Sequence, residues 1–216
     1  PKIYIIDLIE KMSINAANSI LKFIEEPMDD TYTVLITENI HQILPTIISR
    51  CQVINFQPLP KKTIVGYLES CGIDTYIAGI CALLTNDLDD AREIACDENI
   101  SGIIDLVAII GEALLTKKEN ILVILDNGKV DIYKDKKLLG YFLDILLIYM
   151  RDIQNIKSGD DNAVFAHEKP FLKNNVGMIT REKVIQNIGE ILKAKVHLKY
   201  NANTVLLVDH LMICLM

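Results

Sequence analysis

The sequence predicts a chain that begins as an α/β segment with a parallel sheet and continues as a series of helices. Short apolar runs rich in β-branched residues stand before residue 57, and apolar residues at helical spacing dominate after it. Composition agrees, since 50% of the 216 residues are hydrophobic while aromatic residues make up only 6% and Trp is absent. The core must therefore be built mainly from aliphatic side chains.

The first 57 residues carry the β signals. Residues 3–6 form a continuous apolar run, which predicts a strand covered on both faces. Ser13 is a good N-cap for a helix with apolar residues at helical spacing, and Pro27 is expected to end that helix. The run "TYTVLIT" (31–37) predicts a second strand, and "SRCQVINF" (49–56) a third.

Helical patterns fill the rest of the chain. After a linker at "PLPKK", three short helices, the first broken at Gly72, predict a small helical domain over 58–97. Longer amphipathic helices are expected from residue 98 onward, at 102–115, 138–156, 180–199 and 203–215. We therefore predict three domains, covering residues 1–57, 58–97 and 98–216.

Charge and cysteine content restrict the possible functions. The formal net charge is −7, and no segment has the basic excess of a protein that holds DNA alone. The five cysteines form no CxxC pair, so no metal or cofactor is predicted, and their odd number favours reduced thiols in the cytoplasm. We expect no membrane segment, and because the chain starts at Pro1 we expect an N-terminal part to precede it.

Asp7 follows the first predicted strand and has two interpretations. It either caps a neighbouring turn or helix, or it is a Walker-B aspartate that holds Mg²⁺ beside a phosphate-binding loop. The chain contains no Gly-rich stretch ending in Lys-Ser/Thr, and Leu8 stands where a second acid would activate water. ATP hydrolysis by this chain is therefore not expected.

Thr37 and Arg50 are the other candidate site residues. Thr37 ends the second predicted strand, where it is either a turn residue or a sensor of phosphate. Arg50 follows a predicted short helix, and a surface ion pair is its ordinary interpretation. Its alternative is an arginine finger, because a guanidinium is always charged and its planar fork suits phosphate oxygens. Spacing alone does not choose between these roles.

Four stretches resemble the AAA+ clamp-loader subunits of bacterial DNA polymerase III, in particular those of the delta-prime type. The run "IYIIDLIEKM" resembles their Walker-B strand, and "NAANSILKFIEEP" the helix that follows it. The run "VLITENIHQILPTIISRC" resembles the sensor-1 strand leading into a Ser-Arg-Cys motif, here Ser49-Arg50-Cys51. The run "NANTVLLVDHLMICL" resembles the last helix of their collar domain. The first sixty residues carry the most specific part of this resemblance.

The resemblance implies a fold and a set of roles. The expected fold is part of an AAA+ P-loop core, followed by a three-helix lid and an all-α collar bundle. It implies a subunit that helps load the sliding clamp onto primer–template DNA, with gamma/tau and delta subunits as partners. Arg50 would act in trans on a neighbour's ATP site, Asp7 would be a vestigial Walker-B residue, and Thr37 would be sensor-1-like.

Departures from the active pattern indicate a subunit that does not hydrolyse ATP. Active clamp-loader subunits continue the strand as Asp-Glu-Ala-Asp/His, whereas this chain has Asp7-Leu8-Ile9-Glu10. Their sensor-2 arginine has Asp89 near its place in this chain, and Arg92 follows about a turn later. Two alternatives stay open: an active gamma/tau-like ATPase with a trimmed P-loop, and a helical scaffold with a decayed AAA+ half.

The collar resemblance also predicts surface properties. Helices that close a ring should leave an apolar strip exposed, and "GYFLDILLIYM" (140–150) is apolar on most of its circumference. We expect it to be buried against its own bundle and a partner. Lys193, Lys195 and Lys199 are interpreted as a solvated face, with direct DNA contact as the alternative. The four histidines are scattered and are interpreted as surface or packing residues.

Overall fold

The computed structural model describes residues 1–26, 30–117, 121–126, 131–133, 135–200 and 202–216. The chain is mostly helical with one small parallel sheet of two strands in the described residues. It divides into two compact units, Pro1–Gln57 and Pro58–Met216.

The first unit contains the sheet. Strand β1 (Lys2–Ile6) pairs in parallel with β2 (Thr31–Leu35), and helix α1 (Ile14–Glu25) lies between them in sequence. Ser13 caps α1 as predicted, because its hydroxyl accepts a hydrogen bond from the backbone N–H of Ala16 at 3.3 Å. Pro27, expected to end this helix, lies outside the described residues. Helix α2 (Pro45–Ile48) completes the unit, together with 3-10 turns at Ile9–Lys11 and Ile40–Gln42.

Helix α1 packs against one face of the sheet. Its Phe23 ring meets the Tyr4 ring edge-on at 5.3 Å, and a small core forms around Ile9, Ala17 and Ile47. The opposite face carries exposed side chains that the strand register brings together: Ile3, Ile5, Tyr32 and Val34. The prediction that the first strand is covered on both faces is therefore wrong for the described residues, because α1 supplies cover on one side only.

The predicted third strand is absent from the described residues. The segment 49–56 is irregular after α2, and its apolar residues are exposed, Phe56 to 92%. A strand requires a neighbour for its backbone hydrogen bonds, and this segment pairs with neither β1 nor β2. The β-rich composition of "SRCQVINF" was therefore misleading.

The second unit is entirely helical in its described residues. Three short helices come first: α3 (Lys61–Ser70), α4 (Thr75–Leu84) and α5 (Leu88–Cys96). Gly72 ends the first of them as predicted, with a left-handed φ of 84° and the N–H of Ile73 bonded to the carbonyl of Leu68 at 3.1 Å. The remaining helices are α6 (Glu98–Thr116), α7 (Ile121–Asp126), α8 (Lys136–Lys157), α9 (Lys169–Asn175), α10 (Arg181–Lys199) and α11 (Thr204–Leu215).

Helix α8 forms the centre of this unit and packs on both α6 and α10. Its Tyr149 is fully buried, meets Phe165 edge-on at 4.9 Å, and lies directly against Gly111 of α6. Asp152, also fully buried, accepts a hydrogen bond from the backbone N–H of Phe165 at 2.8 Å and so fixes the segment that follows α8. The helix thus gives most of its apolar surface to its own unit.

Exposed apolar side chains instead lie on the last two helices. Helix α10 exposes three of them, Ile185, Leu192 and Val196, and α11 exposes Val205, Leu206 and Ile213. Asn203 caps α11 by accepting the N–H of Leu206 at 3.1 Å, while Asn201 of the same motif lies outside the described residues. The apolar strip predicted for the bundle is therefore on α10 and α11 rather than on α8.

Helix α6 is the one described helix that is long and apolar enough to cross a membrane by length and composition. More than half of its apolar window, 56%, is buried inside the protein. It packs against α8 and contributes ten buried residues to the core. This burial is the pattern of a central helix in a helical bundle.

Candidate functional site

Both candidate strand-end residues leave the sheet at the same edge. The register runs from Lys2↔Thr31 to Ile6↔Leu35, and one further bond joins the N–H of Ile36 to the carbonyl of Ile6 at 2.8 Å. The carboxyl ends of parallel strands form the edge at which ligands bind in open α/β sheets. Asp7 and Thr37 follow directly at that edge, as the sequence predicts.

The carboxylate of Asp7 forms a hydrogen bond with the backbone of the residue that follows it. Its Oδ1 accepts a hydrogen bond from the N–H of Leu8 at 2.9 Å. Leu8 adopts the left-handed conformation, with φ 51° and ψ 48°, and begins the 3-10 turn that follows. This conformation costs a residue with a side chain roughly 1–2 kcal/mol. In this geometry Asp7 stabilises a strained turn, which is the structural interpretation of the residue.

Thr37 contacts Glu10 instead of Asp7. Its hydroxyl donates to Oε2 of Glu10 at 2.6 Å and accepts from the N–H of Asn39 at 3.0 Å. The hydrogen bond from Thr37 is the main reason that the pKa of Glu10 lies below its usual value. The sequence gives no local signal for this contact, because the two residues are 27 positions apart.

A cavity of about 80 Å³ lies beside Glu10. Apart from Glu10 and Gln42 its lining is apolar, contributed by residues such as Ile9, Leu44 and Ile47. Ligand pockets usually measure roughly 300–1,000 Å³, so this space does not accommodate a nucleotide.

Arg50 lies just after α2 and makes three polar contacts. Its Nε pairs with Oε1 of Glu25 at 2.7 Å. Its Nη1 donates to the carbonyl oxygen of Thr46 at 3.0 Å and to the hydroxyl of Ser49 at 3.4 Å. The arginine side chain is nevertheless 41% exposed and its carboxylate partner 47% exposed. An ion pair at this exposure is worth about 0–1 kcal/mol, so it does not enclose the guanidinium.

Packing of two helices explains why Glu25 and Arg50 meet. Ala17 of α1 and Ile47 of α2 are buried in the same small core. Glu25 is the last residue of α1, and Arg50 comes two residues after the end of α2. Cys51 is partly buried beside this core, and burial raises the pKa of its thiol. Nothing in the local sequence around either charged residue signals this pairing.

The predicted sensor-2 region is arranged around α5. Asp87 caps this helix by accepting the N–H groups of Asp89 and Asp90 at 2.8 and 2.9 Å. Arg92 lies on the same helix, and a hydrogen bond with Tyr67 is the main cause that raises its pKa. The guanidinium of Arg92 is thus engaged by a neighbouring helix of its own unit.

The described residues of the chain contain no cluster of three or more His, Cys, Asp or Glu able to hold a metal ion. Two of the three lysines considered for DNA contact are paired within the unit. Lys195 of α10 forms an ion pair with Asp144 of α8, and Lys193 pairs with Glu190 at 2.8 Å. These pairings favour the interpretation of a solvated, structural face.

Known proteins are similar to this chain both in its first sixty residues and along nearly its whole length. The family model described as DNA polymerase III, delta subunit, matches residues 1–60. The Bacillus subtilis (strain 168) DNA polymerase III subunit delta' is 34% identical over 215 residues, which is 99% of this chain and 65% of that protein. DNA polymerase III subunit tau of the same organism is 45% identical over 68 residues, 32% of this chain and 12% of that protein.

A solved structure, the Bacillus subtilis DNA clamp loader delta protein (YqeN), aligns with 99% of this chain and 77% of that chain. The TM-score is 0.38 at 11% sequence identity, values too low to establish a common fold. The chain spans just under two thirds, 65%, of the length of the delta' subunit that it matches.

Proposed function

Because this chain is a homologue of the delta-prime subunits of bacterial DNA polymerase III, we propose that it serves as a clamp-loader subunit of that enzyme. In this role it helps to load the sliding clamp onto primed DNA during replication. Its partners are the gamma/tau and delta subunits of the clamp loader, and it works in the cytoplasm. The observation that carries the proposal is 34% identity over 99% of the chain.

The proposed contribution of this chain to catalysis is Arg50. An arginine finger reaches from one subunit into the ATP site of its neighbour and neutralises charge that develops on the transferred phosphoryl group. Arg50 has the required chemistry, since its side chain is 41% exposed and its surface ion pair is weak. The Arg50 side chain can turn toward another subunit by giving up these exposed contacts, without breaking any contact in the buried core.

We further propose that the chain does not hydrolyse ATP itself. Leu8 has no group that can polarise water, and its own N–H donates a hydrogen bond to Oδ1 of Asp7. Thr37 is likewise bonded to Glu10. Asp7 and Thr37 are accordingly vestiges of a Walker-B and a sensor-1 position in this proposal.

The proposed layout follows the resemblance to AAA+ clamp-loader subunits. Residues 1–57 form part of the α/β core, 58–97 the helical lid and 98–216 the collar. Three short helices, α3 to α5, support the lid, and the longer helices from α6 onward support the collar. The exposed apolar strip on α10 and α11 suits contact with the collar domains of other subunits.

The decisive experiment replaces Arg50 in the full-length protein within a reconstituted clamp loader. Arg50→Ala should lower DNA-stimulated ATP hydrolysis and clamp loading at least about tenfold at the affected site, while subunit assembly stays intact. Arg50→Lys should not restore activity, because a lysine keeps the charge but lacks the planar fork. Arg181→Ala, at an exposed position on α10, is the matched control. Unchanged activity in the Arg50→Ala complex would disprove the finger assignment.

The similarity to subunit tau favours one alternative, an active gamma/tau-like ATPase. It predicts that the full-length protein hydrolyses Mg²⁺-ATP without other subunits. The scaffold alternative predicts instead that Arg50→Ala has no effect while changes in α10 and α11 prevent assembly. ATPase measurements on the isolated full-length protein and on the assembled complex separate the three possibilities.

A further inference from the structure

We propose that Glu25 is the positioning residue for Arg50: its ion pair at Nε, together with the contacts of Nη1, leaves Nη2 to meet a phosphate group. This inference rests on the proposed role of Arg50 as an arginine finger. It assigns to Glu25 a function in the reaction of the neighbouring subunit rather than in the stability of its own.

The contacts of Arg50 are distributed unevenly over its nitrogen atoms. An oxygen of the Glu25 carboxylate lies 2.7 Å from Nε as an ion pair. The carbonyl of Thr46 and the hydroxyl of Ser49 take Nη1 at 3.0 and 3.4 Å. Among the described residues no acceptor meets Nη2. A guanidinium has five N–H donors in a fixed plane, so holding two of its nitrogens fixes the direction of the donors on the third.

This pattern distinguishes positioning from blocking. A carboxylate that blocked the finger would sit on Nη2, the terminal nitrogen that meets no acceptor among the described residues. Glu25 contacts Nε, on the stem side of the group, and leaves Nη2 available. The exposure of both partners, 41% and 47%, also makes the pair too weak to hold the arginine against a triphosphate.

Glu25 is itself held in a defined place. It is the last residue of α1, and the N–H of Glu26 closes that helix on the carbonyl of Lys22 at 3.1 Å. The helix is anchored through Ala17 in the core that also contains Ile47 of α2. A carboxylate on a fixed helix end gives the long arginine side chain one preferred arrangement before the neighbour's phosphate arrives. Such preorganisation is how positioning residues contribute to rate.

The test uses five variants of the full-length protein in the assembled clamp loader. Glu25→Ala removes the carboxylate, whereas Glu25→Gln keeps the length of the side chain and one oxygen near Nε but loses the charge. Glu26→Ala removes the same charge one position away and is the matched control. Arg50→Ala alone and combined with Glu25→Ala reports whether the two residues act together. The readouts are kcat and KM for DNA-stimulated ATP hydrolysis, with assembly checked by gel filtration.

Positioning predicts that Glu25→Ala lowers kcat about two- to fivefold with KM for ATP unchanged, the loss that removal of an exposed ion pair allows. Glu25→Gln, which lacks the charge, should keep only part of the rate. Glu26→Ala should match the wild type, and the double variant should be no slower than Arg50→Ala. If Arg50→Ala is inactive but Glu25→Ala keeps or raises kcat, the inference is overturned while the finger survives. If Arg50→Ala is fully active, the proposed function fails and the inference fails with it.

Discussion

The close approach of α6 and α8 allows a sharp test of the helical unit. Gly111 of α6 lies against the ring of Tyr149, so that a Cβ at this position would overlap Cε1 and Cζ and come within 2.7 Å of Cδ1. The ring is fully buried and is held edge-on against Phe165 at 4.9 Å. Replacing Gly111 by Ala therefore forces the ring or the helix to move.

Two opposing effects set the magnitude of this change. Alanine stabilises a helix interior by about 1 kcal/mol relative to glycine. Overpacking of a fixed core costs about 1–3 kcal/mol, and the upper end applies because three ring atoms are affected. We expect Gly111→Ala to lower the free energy of unfolding by about 2 kcal/mol, or Tm by roughly 4–8 °C in a chain of this size. Gly66→Ala in α3, where the added Cβ meets no atom within 4 Å, should instead raise Tm by a few degrees.

Thermal unfolding followed by circular dichroism measures both variants. The near-ultraviolet signal reports tyrosine packing directly, because the chain has no Trp. A smaller residue at position 149, as in Tyr149→Leu, should recover part of the loss in the Gly111→Ala background, since the two changes share one contact. If Gly111→Ala is as stable as Gly66→Ala, the contact between α6 and α8 is wrong.

Two further predictions concern the sheet edge. Thr37→Val removes the main cause of the lowered pKa of Glu10, so its carboxyl should titrate closer to 4.5 by NMR. Because the pKa of Glu10 is depressed in the folded protein, this residue stabilises the fold above about pH 4.5, and the stabilisation is lost as pH falls through the folded pKa. The stability of Thr37→Val should therefore depend less on pH in this acidic range. An unchanged titration of Glu10 in the variant would contradict the prediction. Leu8→Gly should be about 1 kcal/mol more stable than Leu8→Ala in thermal unfolding, because only glycine is relieved of the left-handed strain, and equal stabilities would argue against that backbone.

Local signals in the sequence predicted most helices correctly. Ser13 and Gly72 mark helix ends through mechanisms that act within a few residues, a side-chain cap and a left-handed backbone. The long helices α8, α10 and α11 agree with their predicted ranges within a few residues. The short helices α7 and α9 were missed, since six or seven residues give too few turns for a periodic pattern.

Strand predictions depended on contacts that a sequence pattern does not reveal. The run 31–37 forms β2 because β1 lies beside it in register. The run 49–56 has similar β-branched and apolar residues but no strand beside it in the described residues, and it stays irregular. The same reason accounts for the exposed face of β1, since an apolar run indicates that cover is needed but not which segment provides it.

The neighbours of the candidate site residues were invisible in the sequence for a geometric reason. Glu25 lies 25 positions before Arg50, and Glu10 lies 27 positions before Thr37. The pairing of β1 with β2 brings Glu10 to Thr37, and the packing of α1 with α2 brings Glu25 to Arg50. The sequence motifs singled out positions 7, 37 and 50 as candidate site residues, while their contact partners required the tertiary structure.

The use of hydrogen-bonding groups separates the three predicted site residues into two kinds. Asp7 and Thr37 direct polar groups at their own chain, to the N–H of Leu8 and the carboxylate of Glu10. Arg50 alone of these three keeps donors that meet no acceptor in the described residues, at Nη2 of a side chain that is 41% exposed. A subunit that hydrolysed ATP would need the first two groups for its own nucleotide, whereas a subunit that serves a neighbour needs only the third. The distribution of unused donors therefore favours the second role over the first.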